Sequence, residues 1–149
     1  QLEYLDHASL RDPNIPVERL YQDVQTAEKA YCKDTGFFPI MHCLAIKKDV
    51  VEKHPDLPIA LFNAFAAAKK FSLDEMMLGN VLRNSVPWAG ALQTEFSQLM
   101  GGNPWPYSLV ANHAEISAMI RYALMDGIAI DHITPEDLFH HDTHHLLDL

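Results

Sequence analysis

The run from Gly36 to Asp49, GFFPIMHCLAIKKD, limits what this chain can fold into more than any other stretch. A glycine able to end a helix is followed by aromatic, β-branched and apolar residues, with Pro39 near the start, where a missing N–H is best tolerated in a strand. The pattern predicts one long strand from Phe37 to Lys47. Side chains on a pleated strand alternate faces, so Phe38, Ile40, His42, Leu44 and Ile46 share one face and Phe37, Met41 and Cys43 the other. His42 then stands among apolar neighbours. Spacing alone leaves two readings open, a core histidine bonded to a backbone carbonyl or a site histidine. A strand also needs partners, because its N–H and C=O groups must be satisfied and a lone edge invites aggregation. Nothing downstream reads as a second strand. The missing ladder is expected from Gln1 to Ile15, from an absent N-terminal half, or from another chain.

Around this strand the periodicity is helical. Leu20, Val24, Ala27 and Tyr31 recur at helical spacing between Val17 and Asp34, with Gly36 placed as the C-terminal cap. Asp49 and Glu52 have capping-box spacing, and His54-Pro55 closes that short helix within about two turns. Asp56 can cap the next helix, whose stripe is Leu57, Ala60, Leu61, Ala64, Phe65 and Ala68. Lys69 and Lys70 near its end suit the carbonyl end of the dipole, and Ser72 with Glu75 predicts a restart through Met76, Met77 and Val81. Leu92, Phe96 and Leu99 mark a fourth helix ended by Gly101 and Gly102. A fifth is predicted from Ser108 to Asp126, with Ile116, Met119, Ile120, Ala123 and Leu124 on one face and Gly127 beyond it. Thr134-Pro135-Glu136-Asp137 opens a short last helix. The sum is a mostly helical chain of about five helices with one long strand.

Composition enters as a filter on function. A formal net charge of -9 removes nucleic acid and anionic membrane surfaces as partners, since both need a basic face. Cys32 and Cys43 are too few for a disulfide framework and form no C-x-x-C pair. No apolar run is long enough to span a bilayer, and a cytoplasmic setting is expected. The opening at Gln1, without Met, and the prolines Pro13 and Pro16 suggest a piece of a longer protein. Residues 1–16 then read as a linker or edge segment, 17–139 as the body of the domain, and 140–149 as a His-rich tail.

Several motifs in one order carry a resemblance. TGFFPIMHCLAIKKDVVEKHP, an alanine-rich amphipathic helix, VPW, GNPWPYSLVAN, a further helix and ITPEDLF together resemble the C-terminal half of the 4,5-dihydroxyphthalate decarboxylase family, over nearly all of Val17 to Phe139. That family is similar in fold to the type II periplasmic solute-binding proteins. The resemblance therefore implies an α/β architecture of two lobes around a cleft, with the Phe37–Lys47 strand returning to the first lobe. It implies loss of one carboxylate from a dihydroxylated phthalate, giving protocatechuate and carbon dioxide. Such a reaction needs a proton donor at the carboxylate-bearing carbon and cations or N–H groups for the carboxylates. In this context His42 is the expected donor.

Other residues fill the remaining roles. Two prolines bracketing Trp105 make a stiff turn, and Trp105 with Tyr107 can stack on and hydrogen-bond to a flat phenolic ring, or plug the core beneath a helix start. Trp88 carries the same pair of readings. Arg121 is either a carboxylate clamp or a surface guanidinium over an apolar stem. Asn112 and His113 can join an anion site at a helix N-terminus or act as solvated caps. The expected partner is a small aromatic carboxylate or another small anion. No organic cofactor is called for. A divalent metal brought by carboxylates of an absent half stays open.

The run His140, His141, Asp142, His144, His145 offers metal ligands, yet a chain end rarely supplies fixed geometry, so no specific metal is expected there. The tail is expected to be mobile, and its truncation after Phe139 to leave the activity of the full-length enzyme largely intact. The same scaffold also serves proteins that only capture a small anion, and a solute-binding protein without catalysis is the alternative.

Overall fold

The computed structural model describes Asn14, Pro16 and residues 20–78, 85–129 and 131–148. The readings of Gln1 to Ile15 as an edge strand, of a helix start at Val17, and of a helix reaching Val81 lie outside the described residues, Asn14 apart. Two compact units are present, Gln1–Phe38 and Pro39–Leu149.

In the first unit, α1 spans Val24–Thr35. It begins later than the apolar spacing suggests because Asp23 caps it, accepting from the Thr26 N–H at 3.0 Å and from the Thr26 hydroxyl at 2.7 Å. Leu20 therefore falls before the helix and is exposed. Gly36 ends α1 as expected, at φ 74°, with its N–H donating to the Cys32 carbonyl at 2.8 Å.

The predicted strand is the main correction. Residues 37–47 are neither helix nor ladder, and among the described residues there is no β-strand at all. Met41 on one side of the alternation and His42 and Leu44 on the other are all exposed, so the two faces are not sorted between core and solvent. Alternating apolar residues fit a pleated surface, but a strand exists only where a neighbour takes up its backbone groups. Here the Ile40 N–H instead donates to the Glu115 side chain at 2.8 Å. The described structure is mostly helical, and its residues do not assemble the α/β sheet.

The second unit continues with α2 (Lys48–Lys53), α3 (Leu57–Met76), α4 (Ala89–Leu99), α5 (Leu109–Met125) and α6 (Pro135–Leu138), followed by a 3-10 turn at His141–Thr143. α2 starts at Lys47 without a side-chain cap, so the Asp49 capping box is not used and Asp49 lies in the first turn. α3 runs unbroken through Ser72, against the expected restart. No Gly or Pro interrupts it there, and a Ser-x-x-Glu pair caps only where the preceding turn has already stopped. Lys69 is consequently well inside a helix and not at its end.

α5 carries the core. Leu109, Ile116 and Ile120 are buried at helical spacing, with Leu124 and Phe139 packed against them. Phe139 follows α6, whose start is fixed by Thr134: its N–H and hydroxyl both donate to Asp137 Oδ2, at 2.8 and 2.7 Å. Among the described residues no helix is long and apolar enough to cross a membrane.

A candidate carboxylate cradle at the start of α5

The turn Gly102–Tyr107 feeds directly into α5. Pro104 and Pro106 restrict the backbone on either side of Trp105, which sits at φ 54°, a region that costs a side-chain-bearing residue about 1–2 kcal/mol. The strain turns the Trp105 carbonyl toward α3, where it accepts from Lys69 Nζ at 3.1 Å. The Trp105 ring leans on Phe96 of α4, centroids 5.3 Å apart.

Ser108 closes the turn. Fully buried, it caps α5 through its hydroxyl, which accepts from the Ala111 N–H at 3.2 Å. Asn112 reaches back and donates to the Pro106 and Ser108 carbonyls at 2.7 and 2.8 Å, locking the turn to the first turn of the helix. Of the two side chains expected at an anion site here, Asn112 thus braces the backbone. His113 faces solvent and pairs with Glu136 at 3.2 Å.

An anion does occupy this helix start, and it belongs to the chain itself. Asp148 Oδ1 accepts from the Tyr107 N–H at 2.9 Å and the Ser108 N–H at 3.2 Å, while Oδ2 pairs with Lys69 Nζ. Lys69 is further held by Asn103 Oδ1 at 2.8 Å and lies 4.8 Å from the centre of the Tyr107 ring. Asn103 also donates to the Asp148 carbonyl at 2.9 Å. Burial pushes the Asp148 carboxyl up, but the Lys69 hydrogen bond, the Tyr107 N–H, the Lys69 charge and the Ser108 N–H outweigh it and hold the group below the usual carboxylate range. Every donor that faces this carboxylate is supplied by α3 or by the Trp105 turn.

The four residues singled out by sequence are placed differently from one another. Trp105 and Tyr107 come together at the cradle, both partly exposed, so neither is a buried plug. His42 is exposed on the irregular 37–47 segment, and Arg121 is exposed on α5 with its guanidinium 4.9 Å from the Tyr122 ring centre; neither is among the groups that hold Asp148. Trp88, also at positive φ, is 80% exposed. Sequence reasoning missed Lys69, Asn103, Ser108 and Asp148 as partners. The buried side of α3 runs through Pro58, Phe62, Ala66 and Lys69, whereas Ala60, Ala64, Phe65 and Ala68 of the expected apolar stripe are exposed, so the stripe did not mark the lysine.

No family model matches the chain. It is 28% identical over 124 residues to the 4,5-dihydroxyphthalate decarboxylase of Comamonas testosteroni, an alignment covering 83% of this chain and 38% of that protein. The two are distant relatives. The chain spans well under half the length of the curated relative it matches, and the matched stretch is long enough to include most of the second unit.

Proposed function

We propose that this chain is part of a cytoplasmic carboxy-lyase that removes one carboxylate from 4,5-dihydroxyphthalate or a similar aromatic acid, giving protocatechuate and carbon dioxide. The observation that carries the reading is the 124-residue similarity to a protein of that activity. A hydroxyl para to the departing carboxylate feeds electron density into the ring; a proton is added at the carboxylate-bearing carbon, and the ketonic intermediate expels carbon dioxide as the ring regains aromaticity. His42, exposed among the described residues, is the proton donor in this reading, supported by an imidazole's ability to give a proton near neutral pH. Trp105 and Tyr107 supply an exposed aromatic edge for the substrate ring, and Arg121 an exposed cation for a carboxylate. No organic cofactor is required. The α/β two-lobe architecture belongs to the same proposal, with residues 37–47 taking ladder partners from chain beyond the described residues.

One observation favours a second reading, a solute-binding protein that captures a small anion without catalysis. The start of α5 holds a carboxylate, the chain's own Asp148, through one ammonium and two N–H groups, an arrangement of the kind that captures small anions. Incubating the complete gene product with 4,5-dihydroxyphthalate and following carbon dioxide release separates the two. Equimolar carbon dioxide and protocatechuate support the lyase; saturable binding without product overturns it in favour of the binder.

A further inference from the structure

The His-rich segment after α6 does not behave as a loose end. Phe139 packs against the α5 core at one end of it and Asp148 is buried at the other, held by Lys69 and the α5 start. Between these anchors the chain makes a tight turn. The His140 carbonyl accepts from the Thr143 N–H at 2.9 Å and the Thr143 hydroxyl at 2.7 Å, and the Thr143 carbonyl accepts from the Leu146 N–H at 3.2 Å. His144 Nε2 lies 2.9 Å from the Phe139 carbonyl oxygen, which commits that ring to the backbone. The fixed geometry that a chain end rarely supplies is therefore present in this turn.

The turn brings three ligand-bearing side chains together on the surface. His141 Nε2 is 3.2 Å from Asp142 Oδ1, and His140 Nδ1 is 3.8 Å from Asp142 Oδ2. The rings of His140 and His141 stack with centroids 4.4 Å apart, and one ligand atom from each of the three residues lies within 4.8 Å of the other two. Four-coordinate zinc with nitrogen and oxygen ligands at about 2.0–2.2 Å places its donors about 3.4 Å apart, so the observed separations bracket what an ion would require. The Asp142 N–H points at His140 Nδ1 from 3.4 Å, a long contact onto a nitrogen lone pair, which an ion can take over at small loss.

We propose that His140, His141 and Asp142 bind one divalent transition-metal ion. Two imidazoles and one carboxylate are the donor set of zinc and its neighbours, and not of calcium or magnesium, which take oxygen. Water completes the coordination. Bound there, the ion ties the turn that leads from the α5 core to the Asp148 anchor.

Calorimetric titration of the untagged protein with Zn²⁺ tests the site, with His141→Ala, Asp142→Asn and their double variant beside a His132→Ala control and circular dichroism to verify folding. His141 is 79% exposed by side chain, so its loss leaves the fold in place. One ion per chain is expected, with affinity at least about tenfold weaker in each site variant and unchanged in His132→Ala, since even outer-shell changes at metal sites cost that much. Co²⁺ should give visible ligand-field absorption in the parent and not in the double variant. Equal zinc affinity in the double variant, an equal loss in His132→Ala, or no binding by the parent overturns the proposal.

Discussion

Lys69 and Asp148 meet as a buried ion pair across 79 residues of sequence, the ammonium from the interior of α3 and the carboxylate from the end of the tail. Neither group is left short of partners, since Asn103, the Trp105 carbonyl and the Tyr107 and Ser108 N–H groups take up the remaining valences. A buried pair of this kind is worth little against a well-packed apolar pair, but removing one partner strands the other charge.

Lys69→Met should therefore destabilise the protein by about 3–5 kcal/mol, and Lys69→Met/Asp148→Ala by clearly less than the sum of the single changes. Truncation after Phe139, which also removes Asp148, should cost at least as much stability as Asp148→Ala. Denaturant midpoints of the four variants measure this, and additive single changes would show the pair to be uncoupled.

The same carboxylate sets an acid limit. An unfolded Asp titrates at about 3.9, and native Asp148 lies below its ordinary value, so between the two the unfolded state binds more protons. Its contribution is present above about pH 4 and is lost as pH falls through the depressed native value. Unfolding free energies measured from pH 6 down to pH 3 should fall more steeply in the parent than in Asp148→Asn; parallel curves would refute the assignment.

Ser108→Ala removes the cap of α5 from a fully buried position and should cost about 1–2 kcal/mol. Ile116→Ala, in the small cluster with Leu109 and Ile120, should cost about 2–4 kcal/mol through lost burial and a residual cavity. Thermal unfolding of both variants gives the order, with Ile116→Ala the less stable.

On the proposed reading of His42 as proton donor in a lyase, His42→Asn in the complete gene product should lower kcat by about 10²- to 10⁴-fold with KM for the phthalate within a few fold, because general acid catalysis acts in the transition state. A limb of the pH–rate profile should disappear with it. Near-normal turnover in a folded variant would move the donor elsewhere, with Tyr107 the first alternative.

Local chemistry was legible in the sequence wherever a structural decision is made within a few residues. Gly36 ends α1 because αL backbone suits glycine, Ser108 and Thr134 start helices with their own side chains, and the Ile116, Ile120 and Leu124 spacing selects the buried face of α5, although Met119, expected on that face, is exposed. Tertiary structure decided what depends on groups far apart in the chain. Residues 37–47 carry a strand's alternation, yet a ladder is a property of two segments and the described residues offer no second one. Lys69 looked like a charge at a helix end until α3 continued past it, and only the approach of Asp148, Asn103 and the Trp105 turn makes its burial tolerable. Such a cation can be buried only where partners converge on it, and no periodicity along the chain encodes that convergence.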